Sequence, residues 1–428
     1  MRVILKNLHL IDPAHGTDAV RDIQIVDGVI DKISDHITEA GEIEVIDFNG
    51  AVASPGFLDM HVHLREPGYE HKETIETGVQ AAANGGFTAV CSMPNTNPTV
   101  DHEALVRWII DQSRMLLHGM VDIYPIAAVT KGREGKELAP MLELAEAGAV
   151  GFSDDGAPIE SAEIMRRALE YASMTSRPVI QHAEELSLTK GGVMNEGFVS
   201  TSLGMQPIPS IAEEIVIARD LKLSEYTSAP YHVAHVSTKG SVELIRAAKV
   251  KKIHVTCEVT PHHFSLTDEA VRTFDTNTKM NPPLRTKEDV EAVKEGLRDG
   301  TIDVIATDHA PHSYDEKQVE FLYAPFGIVG LETAIGLALT ELFHTKILTL
   351  HQLIEKFSTN PRKILHLPAV KIAEGERANI TIFDLDKEWT VDVEKFRSKS
   401  KNSPFHMKIL KGKPVAVFNN GRLLISSL

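Results

Sequence analysis

Short apolar runs alternating with longer amphipathic stretches fill the middle of the chain. Eight of the runs read as strands: GFLDMHVH from Gly56, GFTAVCSM from Gly86, MVDIYPIAA from Met120, AVGFS from Ala149, RPVIQH from Arg177, YHVAHV from Tyr231, IHVTCEV from Ile253 and IDVIAT from Ile302. Segments with a one-sided apolar stripe separate them and predict helices, among them 73–84, 103–117, 161–173, 212–222 and 287–297. Strand followed by helix, repeated eight times, is how parallel βα units read, and eight such units close into a (β/α)8 barrel of the TIM type, an α/β fold. The two ends have a different texture. Short β-type runs, VILKNLHLID, IQIVDGVIDKIS and EIEVIDFNGAVAS, precede about Ala53, and ANITIFDLD, MKILKG and PVAVFNNGRLLI follow about Ala369, with Asp-Gly and Asn-Gly hairpin signals among them. Neither set suffices for a core of its own. Both are therefore expected to join in one small composite β-sandwich, with 1–53 and 369–428 as its two parts and 54–368 as the barrel.

Alternation along the first run puts Phe57, Asp59, His61 and His63 on one face and Leu58, Met60, Val62 and Leu64 on the other. The second face is apolar throughout and is expected to pack on the surrounding helices. His61 and His63 then point inward at the C-terminal end of a barrel strand, where such barrels carry their active sites. His-x-His alone is a weak signal, since 20 histidines in 428 residues give about one such pair by chance. Other strand ends strengthen it: Asp154 and Asp155 follow AVGFS, His182 ends PVIQH, His235 ends YHVAH, and Asp308 follows IDVIAT. Taken singly, such a histidine is more often structural and an Asp before Gly often makes a turn. Together, four imidazoles and two carboxylates suit Zn²⁺ or a similar metal and exceed the three protein ligands usual at one catalytic zinc, so two metals sharing a carboxylate are expected.

Composition narrows the partners. A chain of 428 residues with 43% hydrophobic content can bury one large core with a smaller satellite. Cys91 and Cys257 lie in apolar runs, which predicts buried, reduced thiols and no cysteine-based metal site. A net charge of -16 with both signs mixed along the chain disfavours nucleic acid. An acidic small substrate is admissible where the site itself supplies positive charge. No apolar run reaches the roughly 18 residues of a membrane span, and the start lacks the long apolar stretch of a secretory signal, so no membrane partner is expected and the cytoplasm is the expected location.

GFLDMHVHLREPG, MPNTNP, FSDDG, the HAEE and HVST strand ends, KMNPPLR, ATDHAPH and APFGIVGLE stand together in this order. In this combination the chain resembles the amidohydrolase superfamily and, within it, the type I dihydroorotases, over nearly its whole length. The resemblance implies two Zn²⁺ per subunit: one held by His61, His63 and Asp308, the other by His182 and His235, bridged by a hydroxide and by Asp155, preferred to Asp154 on its distance from His182 in the family pattern. Many relatives place a carboxylated lysine at the bridge; an aspartate here makes CO₂-dependent assembly unnecessary. The implied reaction is L-dihydroorotate + H₂O ⇌ N-carbamoyl-L-aspartate in pyrimidine biosynthesis, with Asp308 as proton shuttle. Arg65 and Asn95 are expected to hold the substrate carboxylate, which calls for a planar bidentate donor and an amide. His63, Asn281 and His312 are expected as further substrate contacts, and backbone groups around Phe326 and Gly327 at the pyrimidine edge. His262 and His263 are read as structural, and His15, His36, His118, His344 and His366 as surface residues. Segment 313–324 reads equally as a mobile lid or as an ordered loop. A homodimer and association with aspartate transcarbamoylase are implied as well. The rivals are a hydantoinase, dihydropyrimidinase or allantoinase, which generally carry the bridging lysine and lack an HLREPG-like clamp, and a non-catalytic dihydroorotase-like scaffold, which the complete metal set opposes.

Overall fold

All eight expected strands form in the computed structural model, which describes residues 2–38 and 43–428; Met1 and residues 39–42, part of the expected N-terminal sandwich segment, lie outside the described residues. In chain order the strands are β1 (Phe57–Val62), β2 (Phe87–Ser92), β3 (Asp122–Ala127), β4 (Gly151–Phe152), β5 (Val179–Gln181), β6 (Tyr231–Val233), β7 (Val255–Val259) and β8 (Val304–Ile305). Among the described residues they make one parallel sheet in sequential order. Beyond β8 the chain closes the ring: Val62 bridges His309, and the His63 N–H donates to the His309 carbonyl at 2.8 Å. Closure thus sets His61 and His63 beside Asp308.

The helices begin where short polar side chains can satisfy their free N–H groups. Thr74, Ser161, Thr238 and Thr286 each accept a backbone N–H in the first turn of the helix that follows, an arrangement worth about 1 kcal/mol each. The helix expected over 212–222 runs on to Thr227, because Leu221 and Ser224 keep its inward stripe going. β4, β5, β6 and β8 are shorter than their apolar runs, since the chain turns out of the ladder just before its chemical residues; His235 and Asp308 both have left-handed backbone, with φ of 32° and 48°.

Strict alternation fails in β1. The register against β2 shifts between Asp59 and Val62, with one more residue on β1 than on its partner, as in a bulge. Phe57 is therefore directed outward, stacked on Phe357 at 5.1 Å. Leu58 and Met60, expected against the helices, lie instead in an interior cluster with Ala89, Cys91, Ile126, Val304 and Ala306, plugged at the bottom by Leu365. His61 and His63 still face inward above this plug.

The chain ends meet in a single sheet of eight strands among the described residues. Val52–Pro55 lies between Arg2–Asp12 and Ile380–Thr390, so the N- and C-terminal strands are hydrogen-bonded neighbours. Val3, Leu5, Ile23, Ile25, Ile380, Ile382 and Phe418 share one apolar cluster. That shared core explains why neither terminal segment reads as self-sufficient. Both thiols are free and buried. No helix among the described residues is long and apolar enough to cross a membrane.

Candidate active site

At the C-terminal mouth of the barrel lies a cavity of about 240 Å³ lined by His63, Arg65, Asn95, Asp155, His182, His235, Asn281, Asp308, His312, Phe326 and Gly327, with Gly156 and Ala310 between them. The twelfth expected residue, His61, is fully buried beneath it. A larger hollow of about 320 Å³ opens at the opposite, N-terminal end of the barrel around Pro178, Tyr231 and Asp303, and none of the candidate residues lines it.

The imidazoles converge. His63 Nε2 stands 2.9 Å from Asp308 Oδ1 and 3.4 Å from Asp155 Oδ2. His61 Nε2 is 3.4 Å from Asp155 Oδ1 and 3.5 Å from Asp308 Oδ1. His182 Nδ1 lies 2.9 Å from His235 Nε2, which is 3.6 Å from Asp155 Oδ1. Two compact groups of donor atoms result, His61–His63–Asp308 and His61–Asp155–His235. His182 joins the second through His235 and through Asp155 Oδ1 at 3.8 Å. Asp154 turns away: its carboxylate accepts the Val129 and Thr130 N–H groups and the Thr130 hydroxyl.

Neighbouring groups fix which nitrogen of each ring faces the centre. Glu258 on β7 accepts from His61 Nδ1 at 2.6 Å, Asn95 Oδ1 from His63 Nδ1 at 2.8 Å, and Glu184 from His182 Nε2 at 3.0 Å. With those protons engaged, His61 Nε2, His63 Nε2 and His182 Nδ1 present lone pairs inward. Among the described residues, His61 Nε2 and Asp155 Oδ1 are buried without a hydrogen-bond partner. Orphaned buried acceptors facing one another are costly unless a cation sits between them, so the donor set fits bound metal.

Electrostatics agree. Burial pushes the His61 pKa down, but the Asp155, Glu258 and Asp308 carboxylates outweigh it and hold it well above the usual value. Burial raises that of Asp155, yet His61, His235 and His63 hold it well below the carboxylate range, and Asp308 is depressed in the same way. The centre thus demands positive charge.

Opposite the imidazoles stands the other wall of the cavity. Arg65, with left-handed backbone at φ 63°, donates through Nε to the Pro311 carbonyl at 3.1 Å and approaches His312 Nε2 at 3.5 Å. His312 Nε2 donates to the Phe326 carbonyl at 2.8 Å; burial together with Arg65, Lys72 and Lys317 lowers its pKa, so it is neutral. Asn281 donates to Glu184 at 2.8 Å. Segment 313–324 is tied to the body at Lys317. Its Lys317 is buried and donates to the Thr276 and Pro325 carbonyls, and Thr276 Oγ1 donates back to the Lys317 carbonyl.

Sequence reasoning passed over Glu258 and Glu184. Alternation in VTCEV puts Glu258 on the face opposite Val255, Cys257 and Val259, and Glu184 falls two residues after His182. His263 is structural, bonded to Thr260 and the Pro282 carbonyl, whereas His262 is buried with Nε2 unpartnered among the described residues and a pKa lowered to about 4 by burial. His15, His36, His118 and His366 are exposed; His344 is half-buried, bonded to the Leu385 carbonyl.

A parallel barrel closed beside a cluster of imidazoles and carboxylates defines the class, a barrel hydrolase of the amidohydrolase kind. Among solved structures the chain is similar to an L-hydantoinase (dihydropyrimidinase) from Arthrobacter aurescens, with TM-score 0.87 and 26% identity, covering 99% of this chain and 96% of that one. Residues 50–241 match the family model described as dihydro-orotase-like. Proteins named dihydroorotase from Pelotomaculum thermopropionicum and Acetivibrio thermocellus are each 52% identical to the chain, over 99% of both lengths. The chain belongs to the dihydroorotase family.

Proposed function

We propose that this cavity carries out the dihydroorotase reaction of pyrimidine synthesis, with the residues of its mouth in the following roles. Family membership over the full length supports the reaction. The observation that carries the roles is the single cavity shared by the inward-facing imidazoles, Asp308 and Arg65. His61, His63 and Asp308 would hold one Zn²⁺, His182 and His235 a second, with Asp155 between them; the four-imidazole, two-carboxylate set without thiols suits this borderline metal. Such a pair supplies a water of lowered pKa and polarises the ring carbonyl.

The chain's own residues do the rest. Asp308 is held as a carboxylate and accepts the proton released as water attacks the ring carbonyl. It returns that proton to the departing ring nitrogen, and runs the exchange backward in ring closure. Arg65 takes the substrate carboxylate bidentately, its fork held by the Pro311 carbonyl. Asn95 has committed its carbonyl to His63 and keeps its NH₂ for the same carboxylate. Asn281, His312 and the backbone at Phe326 and Gly327 bound the ring edge and exclude water. The hydantoinase likeness is one of fold, at 26% identity. The resemblance also supports a cytoplasmic homodimer and association with aspartate transcarbamoylase.

A spectrophotometric assay of metal-loaded protein with L-dihydroorotate, hydantoin and allantoin side by side tests the assignment. Turnover of dihydroorotate is expected; turnover of hydantoin without it would overturn the reading. Asp308→Asn is expected to abolish turnover, and activity near wild type would remove the shuttle role.

A further inference from the structure

Between the sheet strands Ile380–Thr390 and Ile409–Asn419 the chain crosses to the barrel mouth as a polar strap, RSKSKNSP. Its side chains alternate: Ser398, Ser400 and Asn402 are buried, while Arg397 and Lys399 are exposed. The inward residues bind two different loops. Ser398 Oγ donates to the Glu73 carboxylate, which also accepts the Lys399 N–H at 3.0 Å, and Ser400 Oγ donates to the Lys72 carbonyl at 2.6 Å. These bonds hold the loop that leaves β1 through Arg65. Asn402 binds the other side of the cavity: its NH₂ donates to the Ala310 carbonyl at 3.1 Å and the Gly327 carbonyl at 3.0 Å, and its Oδ1 accepts the His312 N–H at 3.1 Å. Its own carbonyl accepts the Val329 N–H at 3.0 Å.

Ala310, His312 and Gly327 all line the cavity, and one buried amide ties their backbones together. Only an asparagine-shaped amide meets two carbonyls and one N–H at once; an aspartate would set a carboxylate against both carbonyls. We propose that Asn402 is a positioning residue for the substrate-binding wall, and that the strap 398–402 fixes the distance between that wall and the Arg65 loop. The inference rests on the substrate roles given above to Arg65, His312 and Gly327. None of the Asn402 side-chain bonds goes to a residue of the metal set, so its effect falls on substrate binding rather than on metal.

The test uses full-length, metal-loaded protein and compares Asn402→Asp and Asn402→Ala with Arg65→Ala. KM and kcat for dihydroorotate, zinc content and unfolding midpoint are measured. A misplaced wall raises KM on the order of tenfold or more, with zinc content kept and kcat changed less than KM; this is expected for both Asn402 variants and strongest for Asp. Destabilisation alone would lower apparent kcat with the active fraction and leave KM unchanged, a result that overturns the proposal. If the Asp variant does not fold, the Ala variant decides. A raised KM in Arg65→Ala with unchanged KM in both Asn402 variants removes the strap and spares the clamp. Unchanged KM in Arg65→Ala removes the clamp and the inference with it.

Discussion

Replacing Glu258 by glutamine probes how the barrel interior prepares His61. Glu258 is fully buried, accepts from His61 Nδ1 at 2.6 Å and lies 3.3 Å from His232 Nε2. Burial pushes its pKa up, yet the two imidazoles outweigh it and hold it at about 2, so the group acts as a carboxylate. A hydrogen bond to a charged group is worth about 1.5–3 kcal/mol and a neutral one about 0.5–1.5 kcal/mol. Glu258→Gln keeps an acceptor for His61 and loses the charge, a cost of about 1–1.5 kcal/mol that appears as roughly 5- to 13-fold weaker metal binding. Glu258→Ala strands the His61 N–H in a buried site and is expected to cost about 10–100-fold. The assay is Zn²⁺ titration of metal-free protein against a competing chelator, with KM for dihydroorotate measured at saturating metal. Metal affinity within twofold of wild type in both variants would refute the reasoning. So would a change confined to KM.

Asp155→Asn is expected to lose metal, whereas Asp154→Asn should keep it and lower the unfolding midpoint, because Asp154 serves the Val129–Thr130 backbone; the reverse pattern in metal analysis would move the bridge to Asp154. Gly327 has φ of 125°, and a Cβ there would lie 2.8 Å from Ala310 Cβ, so Gly327→Ala should raise KM on the order of tenfold, and an unchanged KM would take that backbone away from the substrate. Burial lowers the Lys317 pKa to about 7. Between about pH 7 and its usual 10.5 the unfolded chain therefore binds a proton that the folded chain has released, and stability rises with pH in that window. The unfolding midpoint of wild type should shift upward relative to Lys317→Met from pH 7 to 9; a constant difference would show that the group keeps its usual pKa.

The strands and the histidines and aspartates that the barrel mouth brings together were legible because each rests on a local pattern: an apolar run ending in His or Asp, followed by an amphipathic stretch. The orientation of Leu58 and Met60 was not, since the bulge in β1 is set by register against β2. Glu258 carried a readable signal in the alternation of VTCEV but no motif to draw the eye. The strap was illegible for a physical reason. Lysines alternating with small polar residues look like a solvated loop, and the partners that bury Ser398, Ser400 and Asn402 lie about 75 to 330 residues earlier.

The meeting of the chain ends in one sheet has a consequence for synthesis on the ribosome. By the time Asp308 has been made, every histidine and aspartate of the cluster exists, yet Val52–Pro55 still lacks its neighbour from Ile380–Thr390 and the barrel mouth lacks Asn402. Chain closure is therefore a late, long-range event. A chain interrupted after the barrel would carry the inward-facing histidines and aspartates on an unfinished frame, with the sheet edge at Val52–Pro55 open.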